Sequence, residues 1–243
     1  MMRGTVLLSA VLWLSLLAGA TSNRQLKPGT ILPVSLDRTL DTAKIHDGQR
    51  ISLAVMQDVP QSSIKRRSHV FAHVVSVTRS AGAAAELGLR FDEIEEHGKR
   101  IPLVASLRAL ASWMEVEQAK VPEESMDRGI TAETATTAQV GGEQVYRGGG
   151  PVASGTEAVA IPTPYGALGR PRSNAERGCR GDAGQDGPQA LWLFSTDACG
   201  VYGFSDLHIV HAGKSNPLGT IVLSDDSGRL KLQGGTGMLL RVE

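Results

Sequence analysis

The sequence predicts a mainly β fold: a small antiparallel barrel or sandwich, a second β-rich lobe, and one short helix connecting them. Three observations carry this expectation. Apolar residues alternate with a period of two through the first half, and helical spacing is confined to one stretch. The 28 glycines concentrate after Gly129, among short apolar bursts, as turns between strands would require.

In chain order, residues 1–20 read as a cleavable signal peptide. Arg3 gives a positive start, Thr5 to Leu17 is an uncharged apolar run, and Ala18-Gly19-Ala20 supplies the small-x-small cleavage pattern. The run is shorter than the roughly 20 residues a bilayer span needs. Export to the periplasm or beyond is therefore expected, without a stable transmembrane anchor after cleavage.

An N-terminal β module is expected over 28–107. Leu32, Val34 and Leu36 share a face, as do Ile51, Leu53 and Val55, then Val70, Ala72 and Val74, with Phe71, Val75 and Val77 on the other side of that strand. Leu87, Leu89 and Phe91 repeat the pattern, followed by Ile101, Leu103, Ala105 and Leu107. His46-Asp47-Gly48 and His97-Gly98-Lys99 read as turns. The Lys65-Arg66-Arg67 cluster reads as a turn or a guarded strand edge.

A helix and polar linker are expected over 108–137. Leu107, Leu110, Ala111 and Met114 have helical spacing, and Pro122 stops the helix. Extension of the preceding strand through Leu107 to Ala111 is the alternative. A Gly-rich β lobe follows over 138–243. Its strands are expected at Gln144–Arg147 and in the apolar bursts 190–194, 201–204, 207–210, 220–223, 230–232 and 238–242. Asp225-Asp226-Ser227-Gly228 reads as a hairpin turn. Trp192, Phe194, Tyr202 and Phe204 are the expected core anchors, beside a Cys179–Cys199 disulfide. In an exported chain an even cysteine pair reads as a bridge, here worth roughly 3 kcal/mol on the chain-entropy account.

Chemistry-bearing motifs are sparse. Lys plus Arg and Asp plus Glu both number 25, so no long-range positive field points to nucleic acid. His69 and His73, four apart on a strand, would stand about 13 Å from each other, too far for one metal ion. Asp182 to Gly187 resembles the start of a calcium loop, but Gly184 and Leu193 occupy ligand positions. Gly213-Lys214-Ser215 lacks the first glycine of a phosphate loop. Arg180-Gly181-Asp182 is a bare tripeptide. The carboxylates Asp92 to Glu96, with Glu115 and Glu117, read as solvated faces. Ser205, Asp206 and His208 supply nucleophile, acid and base types, and form the alternative reading of a secreted hydrolase.

The segment Gly29-Thr30-Ile31-Leu32-Pro33-Val34-Ser35-Leu36-Asp37, with Asp47-Gly48 and Ala54 to Val59, resembles a module of uncharacterised exported bacterial proteins. It has a distant similarity to the β-barrel domain of TrbI-like conjugation proteins. That family opens its barrel with a Gly-x-x-Ile-Pro-x-x-Leu strand, and a Pro-x-Gly-Ser turn later precedes a Gly-x-Val strand. Here Ser62 to Ser68 lacks the Pro-x-Gly, and Ala72-His73-Val74 replaces Gly-x-Val. The resemblance covers 28–104 and implies an extracytoplasmic β module, with no catalytic residues to carry over. It also raises a further alternative, a component of an envelope-spanning secretion or conjugation assembly. The leading expectation is an exported, non-catalytic binding or structural protein of the bacterial envelope, acting through a protein partner, with no cofactor or metal.

Overall fold

A computed structural model describes residues 26–243 apart from 60–61, 80–82, 120–134, 141, 147–151, 155–156, 161, 164–165, 169–189, 192, 196–197 and 213. The expected signal peptide, Cys179, Trp192, the calcium-like and Arg-Gly-Asp motifs, and Gly213 lie outside the described residues.

The fold is mainly β. Its first half comprises β1 (Ile31–Leu36), β2 (Leu40–Asp41), β3 (Arg50–Val55), β4 (His69–Thr78), β5 (Ala85–Glu96), β6 (Lys99–Pro102) and β7 (Ala105–Ala111), followed by α1 (Trp113–Ala119). Next come β8 (Ala135–Gln139), β9 (Gly142–Tyr146), β10 (Val152–Ser154), β11 (Glu157–Ala160), β12 (Pro162–Thr163) and β13 (Gly166–Leu168). The chain ends with β14 (Ala190–Leu191), β15 (Phe194–Ser195), β16 (Gly200–Tyr202), β17 (Leu207–Ile209), β18 (Thr220–Asp225), β19 (Lys231–Leu232) and β20 (Gly237–Val242).

One large mixed sheet organises the molecule, in the order β16-β7-β20-β1-β3-β4-β5-β18-β17, with β6 paired to β5. Only the β16–β7 pair in it is parallel. Its two end strands, β16 and β17, are joined by the short connection Gly203 to Asp206, so the sheet curls back on itself without closing into a barrel. A smaller sheet runs β12-β13-β9-β8. Strands from both sides of the 108–137 segment share the large sheet.

The curl encloses the main core. Leu32, Val34, Leu53, Val70, Val74, Leu87, Leu89, Leu223, Met238 and Leu240 are fully buried, matching the faces the alternation picks out. Val77 is the exception. The β4–β5 register shifts between Val74 and Ser76, and beyond that bulge Val77 packs on the core side while Val75 is exposed.

A second cluster covers the outer face of the β16-β7-β20 part. Ala109, Ala111, Tyr202 and Leu239 meet Val116 and Ala119 of α1, and Val140, Leu193, Phe194 and Ala198 complete it. Burial on both faces explains why β7 has no exposed residue. It also corrects the helix start: the strand runs to Ala111, as the alternative reading had it, and the helix begins only at Trp113. Ser112 caps it, its Oγ accepting the Glu115 N–H at 3.3 Å. The Asp225–Gly228 turn exists, with the Gly228 N–H donated to the Asp225 carbonyl and φ +82° at Gly228. It is no hairpin, because β18 pairs with β5 and β17, whereas β19 pairs with β2.

Candidate functional site: the open face of the large sheet

The second cluster covers the outer face at β16, β7 and β20. Across β3, β4, β5, β18 and β17 most outward side chains are exposed or half-buried, and the register arranges them in rows. Ser52 opposes Phe71, and Phe71 opposes Glu93. The next row runs Arg50, His73, Arg90, Thr220. Beyond it, Gly88 lies beside Ser76 and Val222, and Val210 donates its N–H to the Val222 carbonyl. Glu86, Ser224 and His208 form the last row.

Phe71 is the centre of the first two rows. The guanidinium carbons of Arg50 and Arg100 stand 4.6 and 5.2 Å from its ring centroid, and His69 stacks on it at 6.2 Å. Glu93 holds both arginines: Arg50 Nη2 donates to its Oε1, and Arg100 Nη1 donates to the same oxygen at 3.0 Å. The aromatic ring is thus clamped by two cations that share one carboxylate. Such exposed contacts add little stability; their consequence is to place both guanidinium groups against the ring.

Beside the clamp, His73 Nδ1 faces both oxygens of Asp92, at 2.8 and 3.0 Å. The β4–β5 register shift between Phe71 and Ala72 makes Asp92 an extra residue on its strand and turns its carboxylate toward the imidazole. Arg90, exposed in the same row, makes no ion pair among the described residues. Val75 and Val210 are 40% and 44% exposed and give the surface an apolar side.

The candidates read from sequence fall elsewhere or take other roles. His69 and His73 are not brought together: one stacks on Phe71 and the other pairs with Asp92. Among the described residues no group of His, Cys, Asp and Glu could hold a metal ion. Ser205 donates its hydroxyl to Asp206 Oδ2 at 2.6 Å, while His208 Nε2 faces Asp226 Oδ2 at 3.2 Å. All four are exposed, and no described bond links His208 to Ser205. Ser205 and His208 thus each meet a different carboxylate. Ser215 donates to the Glu243 carboxylate and accepts the Gly219 N–H, a loop staple. Lys65 and the Arg66 N–H both bond Asp58, whose carboxyl is held below its ordinary value chiefly by that backbone N–H. The basic cluster therefore belongs to the β3–β4 turn. Cys199 is buried in the main core.

Sequence reasoning missed the Arg50–Phe71–Arg100 clamp and Glu93's part in it. Arg50, Phe71 and Arg100 sit at outward positions of their strands' alternation, a signal for exposure only, and Glu93 reaches that face through the register shift at Asp92. No protein-family model, curated protein or solved structure matches the chain. Among the described residues no helix is long and apolar enough to cross a membrane.

Proposed function

We propose that this chain is an exported, non-catalytic binding protein of the bacterial cell envelope that meets a protein partner with the open face of its large sheet. The observation that carries the reading is the clamp: a half-exposed aromatic ring packed against two arginines contributed by β3 and β6, with one carboxylate joining the arginines. Aromatic and arginine side chains supply most hot spots of protein interfaces. Arg90 offers a cation without a described ion pair, and Val75 and Val210 offer apolar area. A surface presenting carboxylates beside apolar groups complements this set.

The test is cross-linking of tagged full-length protein in its own envelope, comparing the native chain with a Phe71→Ser/Arg50→Ala double variant and an exposed control, Lys231→Ala. The expected outcome is a reproducible protein partner whose yield collapses in the double variant only. An unchanged yield would remove the open face from the reading, and recovery of the native chain alone would overturn the binding role. The Cys179–Cys199 bridge belongs to the same proposal, since it fits an oxidising compartment. Peptide mapping without reductant should recover the two cysteines linked, and two alkylatable thiols would refute the bridge.

A further inference from the structure

A polar pair interrupts the apolar covering of the β7–β20 outer face. Ser106 and Arg241 oppose each other across the antiparallel ladder, and Ile31 of β1 flanks Arg241 on its other side. Directly opposed residues hold their Cβ atoms about 4.5–5.5 Å apart, so the two side chains share one small volume. Alternation places both on the outer face, because Ala105, Leu107, Leu240 and Val242 belong to the inner core. Ser106 is 1% exposed. Its Oγ and the Nε of Arg241 are sealed from solvent, and neither has a hydrogen-bond partner among the described residues. Arg241 as a whole is only half-buried.

A buried donor without an acceptor is costly, and in native proteins such a group marks an unseen water, ion or ligand. Here the orphaned groups belong to directly opposed residues of two strands, a hydroxyl that can donate and the N–H of a permanent cation. An anion satisfies both at once. We propose that Arg241 and Ser106 bind a carboxylate group. The guanidinium docks side-on, Nε and one Nη each donating to one oxygen, a fork that matches the planar carboxylate. The Ser106 hydroxyl donates a third bond. This site lies on the opposite part of the sheet from the Phe71 clamp and stands independently of it.

The test follows the Nε–Hε correlation of Arg241 by NMR in the 15N-labelled protein during titration with sodium acetate. Sodium chloride at matched ionic strength and sodium phosphate serve as comparators. The expected result is a saturable, acetate-specific shift of Arg241 Hε with a millimolar midpoint. Ser106→Ala should weaken it about tenfold, the worth of one hydrogen bond to a charged group. Arg241→Gln should abolish the acetate response at the neighbouring Ser106 amide, with thermal unfolding confirming that each variant is folded. If Arg241→Gln does not fold, Ser106→Ala carries the test alone. An Hε protected from exchange but blind to acetate would mean an ordered water only and would overturn the proposal. So would an equal response to phosphate or chloride, or an unweakened one in Ser106→Ala.

Discussion

Asp41 does for β2 and β19 what two-residue strands cannot do for themselves. Its oxygens accept Arg229 Nε and Nη2 at 3.1 and 2.6 Å, and Oδ1 also accepts the Ala43 N–H at 3.0 Å. The Arg229 hydrogen bonds, with the Ala43 N–H second, hold the carboxyl at about 2 against an ordinary 3.8, although burial pushes the other way. A folded-state pKa below the unfolded one means stabilisation that is complete above about pH 4 and lost as pH falls through 2. Thermal melts from pH 7 to 2 should therefore show Tm declining across that window. In Asp41→Asn, Tm should start lower at pH 7 and fall less between pH 4 and 2. Parallel curves for the two proteins would remove Asp41 from the acid response. The 188 positions separating Asp41 from Arg229 hid this pair from sequence reasoning. Charge at a turn is visible in a sequence, but which distant charge answers it is not.

The helix and the strand beneath it meet through a glycine. A Cβ on Gly237 of β20 would lie 2.8 Å from Val116 Cγ2 and 2.9 Å from Phe194 Cζ. Val116 and Phe194 are 3% and 0% exposed, so neither can move into open space. Gly237→Ala should cost about 1–3 kcal/mol by overpacking, read as a drop in urea midpoint at unchanged m-value. A neutral result would mean that α1 is more loosely seated than its burial indicates. At this scale the sequence was most legible. Period-two alternation identified the inward faces of β1, β3, β4, β5 and β7, because one wet face and one dry face leave that imprint. It failed in the second half of β7: a register shift puts Leu107 and Leu110, three apart, on the same core, and burial of the other face makes Ala111 apolar too, so the stretch mimics helical spacing. It failed again at the bulges, where one extra residue flips Val77 inward and brings Asp92 to His73. The open-face site follows from those bulges and from inter-strand register. No single strand carries that information, so Arg50, Phe71, Glu93 and Arg100 looked like unrelated surface residues.

The sheet order interleaves the two ends of the chain, and that decides how the whole molecule holds together. β20 lies between β1 and β7, pairing Ile31 with Arg241 on one side and Ala111 with Gly237 on the other. Without β20, both neighbours would become edges, and Met238, Leu239 and Leu240, all fully buried, would leave the two cores. At about 25 cal/mol per Å² of apolar surface, three such side chains carry stabilisation comparable to the entire stability of an ordinary domain. A chain ending at Thr236 should therefore show no cooperative thermal or urea transition. A fragment covering 26–112 should behave the same way, although it contains every strand expected of an N-terminal module. Adding a synthetic peptide of residues 237–243 to the truncated chain should restore a cooperative transition by inserting as the missing strand. Cooperative melting of the truncated chain near the native temperature would show instead that the N-terminal strands hold their core without β20.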